Sequence, residues 1–302
     1  MKSYLRISSP GAQLILFMGL LLACLVLGSA VIGGVLLAKG AIRVGQTSLD
    51  LNNPQFISTL KLMQVIYTII CFLLPALIFA WINFRYKHLY FLGFKKSEKI
   101  NFYIFAIIIM FVSFPLASWF GELNEHIPLA KWMVSAEQDA SKQMEAFLKT
   151  NSSKDVIINL LIIGLIPAIC EEACFRGVLQ RIFIQVFKSP WAGIMVAAIF
   201  FSAFHMQFEG FLPRMFLGIL LGALYWYSNS LWVSITAHFF NNAVQLIWVL
   251  YDPKIINENP SVPLYAAIAS ALIVWGLLLL VKRQSKTSYQ SVYEFEYVNG
   301  EM

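Results

Sequence analysis

Eight runs of mainly apolar residues divide this 302-residue chain. Each is close to the roughly 20 residues that an α-helix needs to cross a bilayer. No other feature of the sequence constrains the fold as strongly. The runs are Leu14 to Ala38, Met63 to Asn83, Phe102 to Phe120, Val156 to Arg176, Trp191 to Met206, Pro213 to Tyr227, Leu231 to Leu250 and Leu264 to Val281. The fourth has room to continue as helix to Phe187. The composition agrees: 59% of residues are hydrophobic and 13% charged, against about 25% charged in soluble domains. The expected fold class is all-α, a polytopic membrane helical bundle with about eight transmembrane helices. Little polar sequence is left for a separate soluble domain.

The first run follows Lys2 and Arg6, as a signal peptide would. It is longer than the 7–15 residues of a signal-peptide core, so it reads as a retained anchor. Pro75 marks an expected kink in the second span, and Pro115 lies near the end of the third. Lys and Arg in short loops set orientation. Arg85, Lys87, Lys95, Lys96 and Lys99, the loop residues Arg181 and Lys188, and Lys282, Arg283 and Lys286 all fall on one side of an eight-span bundle. That places both termini in the cytoplasm of a cell (inner) membrane protein. The net charge of +6 belongs to this pattern. No clustered basic face calls for nucleic acid.

Residues 1–150 form a first unit of three spans and an outer segment, residues 151–286 a core, and residues 287–302 a cytoplasmic tail expected to be poorly ordered. The stretch Ile127 to Lys149 alternates at helical spacing. It suits either a helix lying on the outer surface or a loop helix packed on the bundle. Gly218 and Gly222 make a small-xxx-small pair, for packing inside the bundle or for a dimer face; the sequence leaves the oligomeric state open. Cys24, Cys71, Cys170 and Cys174 lie in or beside apolar runs and read as small buried hydrophobes rather than a disulfide framework.

The core carries one anomaly. Behind the fourth run, Pro167 to Gln180 (PAICEEACFRGVLQ) holds Glu171, Glu172 and Arg176. A charge at the centre of a membrane helix costs about 2.5 kcal/mol or more, so such groups are paired or face a polar cavity. Two other runs carry histidine: His205 in the fifth and His238 in the seventh. His88 and His126 fall in loops. Glu172 and Arg176 are four apart and share a helix face, which leaves Glu171, about 100° around, free for chemistry. His238 and Asn242 share a face as two donors, and Phe201 is one turn from His205. Pro167 clashes with the Ile163 carbonyl and loosens the helix one turn before Glu171. Counted from Arg181, Ser230 and Pro190 at about 1.5 Å per residue, Glu171 and His238 lie at similar depth. His205 lies several ångströms deeper unless its helix tilts, starts later, or Glu171 sits further in.

EEACFR, FSAFH and HFFNN match Glu-Glu-x-x-x-Arg, Phe-x-x-x-His and His-x-x-x-Asn motifs in order. Between about Asp155 and Val249 the chain thus resembles the CAAX prenyl protease and bacteriocin-processing (CPBP) family of intramembrane glutamic-type endopeptidases. The resemblance implies catalytic roles for Glu171 (general base), His205 (water positioning), and His238 and Asn242 (oxyanion donors), with Glu172, Arg176 and Phe201 in support. It implies a membrane-associated peptide or protein substrate in a lipid bilayer, with no requirement that the substrate be prenylated. No cofactor is called for. Zinc is the chemical rival, with Glu171, His205 and His238 as three ligands and an open fourth position, although the HExxH arrangement is absent. A non-catalytic scaffold or self-immunity protein could use the same polar core. A transporter fits less well, since no inverted repeat is visible.

Overall fold

The computed structural model describes residues 5–40, 54–148, 152–256 and 260–294. Among them the structure is helical, with one isolated bridge between Leu5 and Phe84. The helices are α1 (Pro10–Ala38), α2 (Phe56–Asn83), the short α3 (His88–Leu92), α4 (Asn101–Glu125), α5 (Lys131–Leu148), α6 (Ser153–Phe187), α7 (Pro190–Phe204), α8 (Phe211–Ser228), α9 (Leu231–Tyr251) and α10 (Leu264–Gln284). Seven of these are long and apolar enough to cross a membrane. The chain is an integral multi-pass membrane protein. Lys2, Lys149 and residues 295–302 of the tail lie outside the described residues.

The fifth apolar run departs from the expected length. It forms α7, which has 15 residues and is about 22 Å long, short of the roughly 30 Å hydrocarbon core. α7 stops at His205, its C-cap residue, and Met206 then turns the chain with φ +53°. The segment 206–210 then leads into α8, and His205 stands at the end of α7.

Prolines explain two of the three π turns in the long helices, while Pro115 lies inside α4 without interrupting it. A π-helical turn at Ile69–Leu73 precedes Pro75, and another at Leu160–Leu165 precedes Pro167. In both cases the proline follows the turn by two residues. Proline lacks the N–H that would close an α-helical bond and crowds the carbonyl one turn back, and a wider turn relieves that contact. A third π turn, Phe175–Gln180, lies in α6 beyond the acidic pair.

Arg181 is not in a loop. It lies inside α6, 6% exposed, because the helix continues to Phe187 and turns only at Lys188 (φ +51°). Depth must therefore be counted from the Lys188–Ser189 turn. Glu171 and His205 then lie at matching distances along α6 and α7, each about 25 Å from the turn, while His238 is about 12 Å along α9 from Ser230, so path length along the helices does not by itself set the level of the site.

The described part of the tail is docked rather than loose. The turn Gln290–Glu294 buries Val292 and Tyr293. The Tyr293 hydroxyl donates to the Arg181 carbonyl (3.2 Å), and the Arg181 guanidinium lies 5.7 Å from the Tyr293 ring. Ser285 Oγ adds a bond to the Tyr227 carbonyl.

The bundle has two distinct ends. At one, Ser230 Oγ donates to the Lys95 carbonyl, Lys99 Nζ to the Gln284 carbonyl, and Lys286 pairs with Glu98 at 3.5 Å. The basic 85–99 segment, the α8–α9 turn and the tail therefore meet there. At the other end, Glu122 accepts from Val262 N–H and Glu137 from Glu209 N–H. α5 packs on this acidic end through Trp132 against Phe208 (5.2 Å between ring centroids).

The small residues are used within the chain. A Cβ on Gly218 would meet Ala198 Cβ at 3.1 Å and Phe201 at 3.2 Å, and one on Gly222 would meet Gln180 Oε1 at 2.6 Å. Their carbonyls accept from Arg176 and Gln180, which are likewise one turn apart. Gly193 is tighter still: a Cβ there would stand 2.6 Å from Ile184 N and 2.9 Å from Ile184 Cα. Backbone cannot move aside as a flexible side chain can. Gly193→Ala is expected to destabilise the bundle by about 1–3 kcal/mol, read as a lower melting midpoint in detergent. An unchanged midpoint would contradict this α6–α7 packing.

Candidate active site

Glu172 is fully buried and fully engaged. Its Oε1 accepts from Arg176 NH1 (2.8 Å) and from His238 Nδ1 (2.9 Å), and its Oε2 accepts from Ser234 Oγ. The i,i+4 reading of Glu172 and Arg176 is the arrangement found. Arg176 is itself enclosed: NH2 reaches the Gly218 carbonyl at 3.1 Å, and its Cζ lies 4.4 Å above the Phe201 ring. An arginine so buried needs this set of partners, since an unpaired charge in the core is strongly destabilising.

Glu171 is the counterpart. It is 9% exposed, and its Oε2 is buried with no hydrogen-bond partner. Two imidazoles approach that oxygen: His238 Nε2 at 3.8 Å and His205 Nε2 at 3.9 Å. Phe201 packs edge-on against both, with centroids 5.0 Å from His205 and 5.7 Å from His238. Glu171, His205 and His238 thus meet around one point.

The partners on Nδ1 fix the tautomers. His205 Nδ1 is 2.8 Å from the Phe201 carbonyl, which can only accept. His238 Nδ1 faces the Glu172 carboxylate. Each neutral ring therefore carries its proton on Nδ1 and directs an Nε2 lone pair toward Glu171. Three acceptors converge with no donor between them, and a water molecule would supply one.

Asn242 lies one turn beyond His238, but its amide has other company. Nδ2 is 3.5 Å from the Ile163 carbonyl and 3.4 Å from that of Gly164, and Oδ1 accepts from Asn241. Ile163 is the residue whose carbonyl Pro167 leaves without an α-helical donor. Asn242 takes up that loose acceptor through one long bond and the neighbouring Gly164 carbonyl through another.

Two participants were not singled out from sequence. Ser234 is one turn before His238, so a Ser-x-x-x-His-x-x-x-Asn stripe on α9 was the available signal. Arg214 lies in the first turns of α8, where a charge at the start of an apolar run looks like a boundary residue. Cys170 and Cys174 are buried and unpaired by disulfide.

By donor type, Glu171, His205 and His238 would suit zinc, and histidine ligands usually donate the other ring N–H to a carboxylate or carbonyl, as here. Among the described residues, however, no group of three or more His, Cys, Asp or Glu is arranged to hold a metal ion. The chemistry below is derived from the side chains alone.

Residues 153–244 match the family model for type II CAAX prenyl endopeptidase Rce1-like proteins. This segment is similar to the Rce1-like family. It runs from the start of α6 into α9 and contains every residue of the Glu171 site. A relative outside any defined activity is an uncharacterized protein, YpbD, of Bacillus subtilis (strain 168), 32% identical over 96 residues. That match covers 30% of this chain and 46% of the relative's length. No solved structure matches the chain. α1 to α5 and α10 lie outside the Rce1-like segment, yet Phe17, Leu21 and Phe79 share a core with Phe175 and Leu179 of α6, so the added helices brace the helix that carries the site.

Proposed function

We propose that this chain is an intramembrane endopeptidase that hydrolyses peptide bonds of membrane-associated substrates with a water activated by Glu171. The observation that carries this reading is the convergence of both Nε2 atoms on the unpartnered Oε2 of Glu171. The Rce1-like segment supports the same reaction class. A carboxylate held among imidazoles away from bulk water is a competent general base.

Glu171 takes a proton from water while His205 Nε2 accepts the other water hydrogen and holds the oxygen in place. The oxygen attacks the scissile carbonyl. His238 can donate from Nε2 only when doubly protonated, and Glu172 at Nδ1 stabilises that imidazolium. Once it has taken up the water proton through Glu171, His238 faces the developing oxyanion as a donor. Asn242 Nδ2 joins it by exchanging its long bonds to Ile163 and Gly164. Preorganised donors of this kind contribute about 2.7–4 kcal/mol each. Collapse breaks the C–N bond, and the proton passes to the leaving amine.

The basic end of the bundle is assigned to the cytoplasm, with both termini, by the distribution of Lys and Arg.

The test uses the full chain in detergent, wild type beside His238→Ala, with a panel of membrane-anchored peptides, with and without a chelator. Wild type is expected to cleave at least one peptide that His238→Ala spares, and to do so with the chelator present. No cleavage by wild type would sink the protease reading. Activity lost to the chelator and restored by zinc would replace it with the metal-dependent one at Glu171, His205 and His238.

A further inference from the structure

The tail meets α6 at Arg181, and Arg181 stands at the end of an irregular turn. The other two π turns of the long helices precede a proline. The third, Phe175–Gln180, does not, and no proline follows it within α6. π turns are rare in helices and frequent at functional sites. Without a proline behind it, this turn is held by contacts to other elements.

Those contacts run along its length. Arg176 NH2 donates to the Gly218 carbonyl (3.1 Å) and Gln180 Nε2 to the Gly222 carbonyl (3.0 Å). Gly177 packs on α3, where an added Cβ would stand 3.0 Å from the Leu92 carbonyl oxygen. Just past the turn, the Arg181 carbonyl accepts from Gln185 Nε2 (3.1 Å) and from the Tyr293 hydroxyl (3.2 Å). Gln185 in turn faces Gln13 of α1 at 3.4 Å. Tyr293 is 6% exposed, with the Tyr289 ring 5.1 Å from its own.

A π turn takes in one residue more than an α turn. Returning it to α geometry rotates the helix beyond it by about 100° relative to the helix before it. Ile182, Phe183 and Ile184, beyond the turn, are buried in the bundle, so the rotation falls on Arg176 and Glu172. A contact that fixes Arg181 therefore selects the arrangement in which Arg176 NH1 meets Glu172 at 2.8 Å and Glu172 meets His238 Nδ1 at 2.9 Å. We propose that Tyr293 is a positioning residue for the Glu171 site: its hydroxyl, from outside the Rce1-like segment, holds the Phe175–Gln180 turn in the register that sets Glu172 behind His238. The inference rests on the endopeptidase reading of that site.

The experiment uses the full chain in detergent, wild type beside Tyr293→Phe, Tyr293→Ala and Lys286→Ala. Each is measured for cleavage of a membrane-anchored peptide and for backbone hydrogen exchange along α6 and α9. Tyr293→Phe keeps the ring beside Arg181 and removes the hydroxyl bond. It is expected to lower kcat about 2–10-fold, the range of one hydrogen bond, with KM within about twofold and the amides of 175–181 exchanging faster by a similar factor. Tyr293→Ala is expected to lower kcat further, by about 3–30-fold. Lys286→Ala removes the exposed tail pair with Glu98 and is expected to leave both readouts at wild-type values. Unchanged kcat in Tyr293→Phe, or unchanged exchange over 175–181, would overturn the proposal. So would an equal loss in Lys286→Ala, or exchange that quickens along α9 as much as along α6, since either shows a tail that only adds stability. If Tyr293→Ala does not fold, the Tyr293→Phe comparison decides. If wild type cleaves no peptide, the endopeptidase reading fails, while the exchange comparison still decides whether Tyr293 holds the turn.

Discussion

Glu171→Gln is expected to remove peptide cleavage and leave the fold as stable as wild type. The substitution preserves shape and abolishes the only proposed base, for which a loss of about 10²–10⁴-fold or more is the ordinary range. Stability should not fall, because no hydrogen bond is lost: Oε2 of Glu171 has no partner. A glutamine amide could donate to the Nε2 atoms now 3.8 and 3.9 Å from that oxygen, replacing a cluster of three acceptors with a satisfied one. Active sites commonly hold such an unsatisfied arrangement at a cost in stability. Kinetics on a membrane-anchored peptide and a melting curve in detergent test both halves. Retained cleavage would remove Glu171 from the mechanism. A melting midpoint lowered by more than about 2 °C, beyond what a neutral substitution produces in a protein of this size, would show that Glu171 has structural partners after all.

Much of this division between the two glutamates was legible in the sequence, because it follows from helix geometry. Residues four apart share a face, so Arg176 selects Glu172 and not Glu171. The bundle was legible for a similar reason, since a run of apolar residues near 20 long has few alternatives in lipid. What could not be read was decided by contacts between elements. Arg181 looked like a loop residue because charges in short gaps usually are, but the tail supplies Tyr293 to cover it within α6. α7 looked like a full span, but it ends at Phe204 and Met206 turns the chain. Pro167 announced a weak point in α6, but the π turn and the placement of Asn242 across the freed carbonyls depend on α9. Ser234 and Arg214 were hidden because a hydroxyl or a terminal arginine in an apolar run carries no signal without its partner.

The buried pair gives the second large effect, in which stability and activity come apart. Arg176→Met leaves the Glu172 carboxylate in the core with only His238 and Ser234 beside it. Glu172→Gln leaves the Arg176 guanidinium with the Gly218 carbonyl and the face of Phe201. Each single change exposes one uncompensated buried charge, for which a loss of about 3–5 kcal/mol is the usual size. The double variant, Arg176→Met with Glu172→Gln, removes both charges of the pair. It is expected to melt above either single variant, a non-additivity that a double-mutant cycle reads directly. Cleavage is expected to stay about 10²–10⁴-fold below wild type, because a neutral amide on Nδ1 cannot stabilise the His238 imidazolium that donates to the oxyanion. If the double variant melts as low as the two losses added together, the pair is not the counter-ion couple its 2.8 Å contact indicates. If it recovers both stability and cleavage, Glu172 serves only to neutralise Arg176, and His238 does its work without a carboxylate behind it.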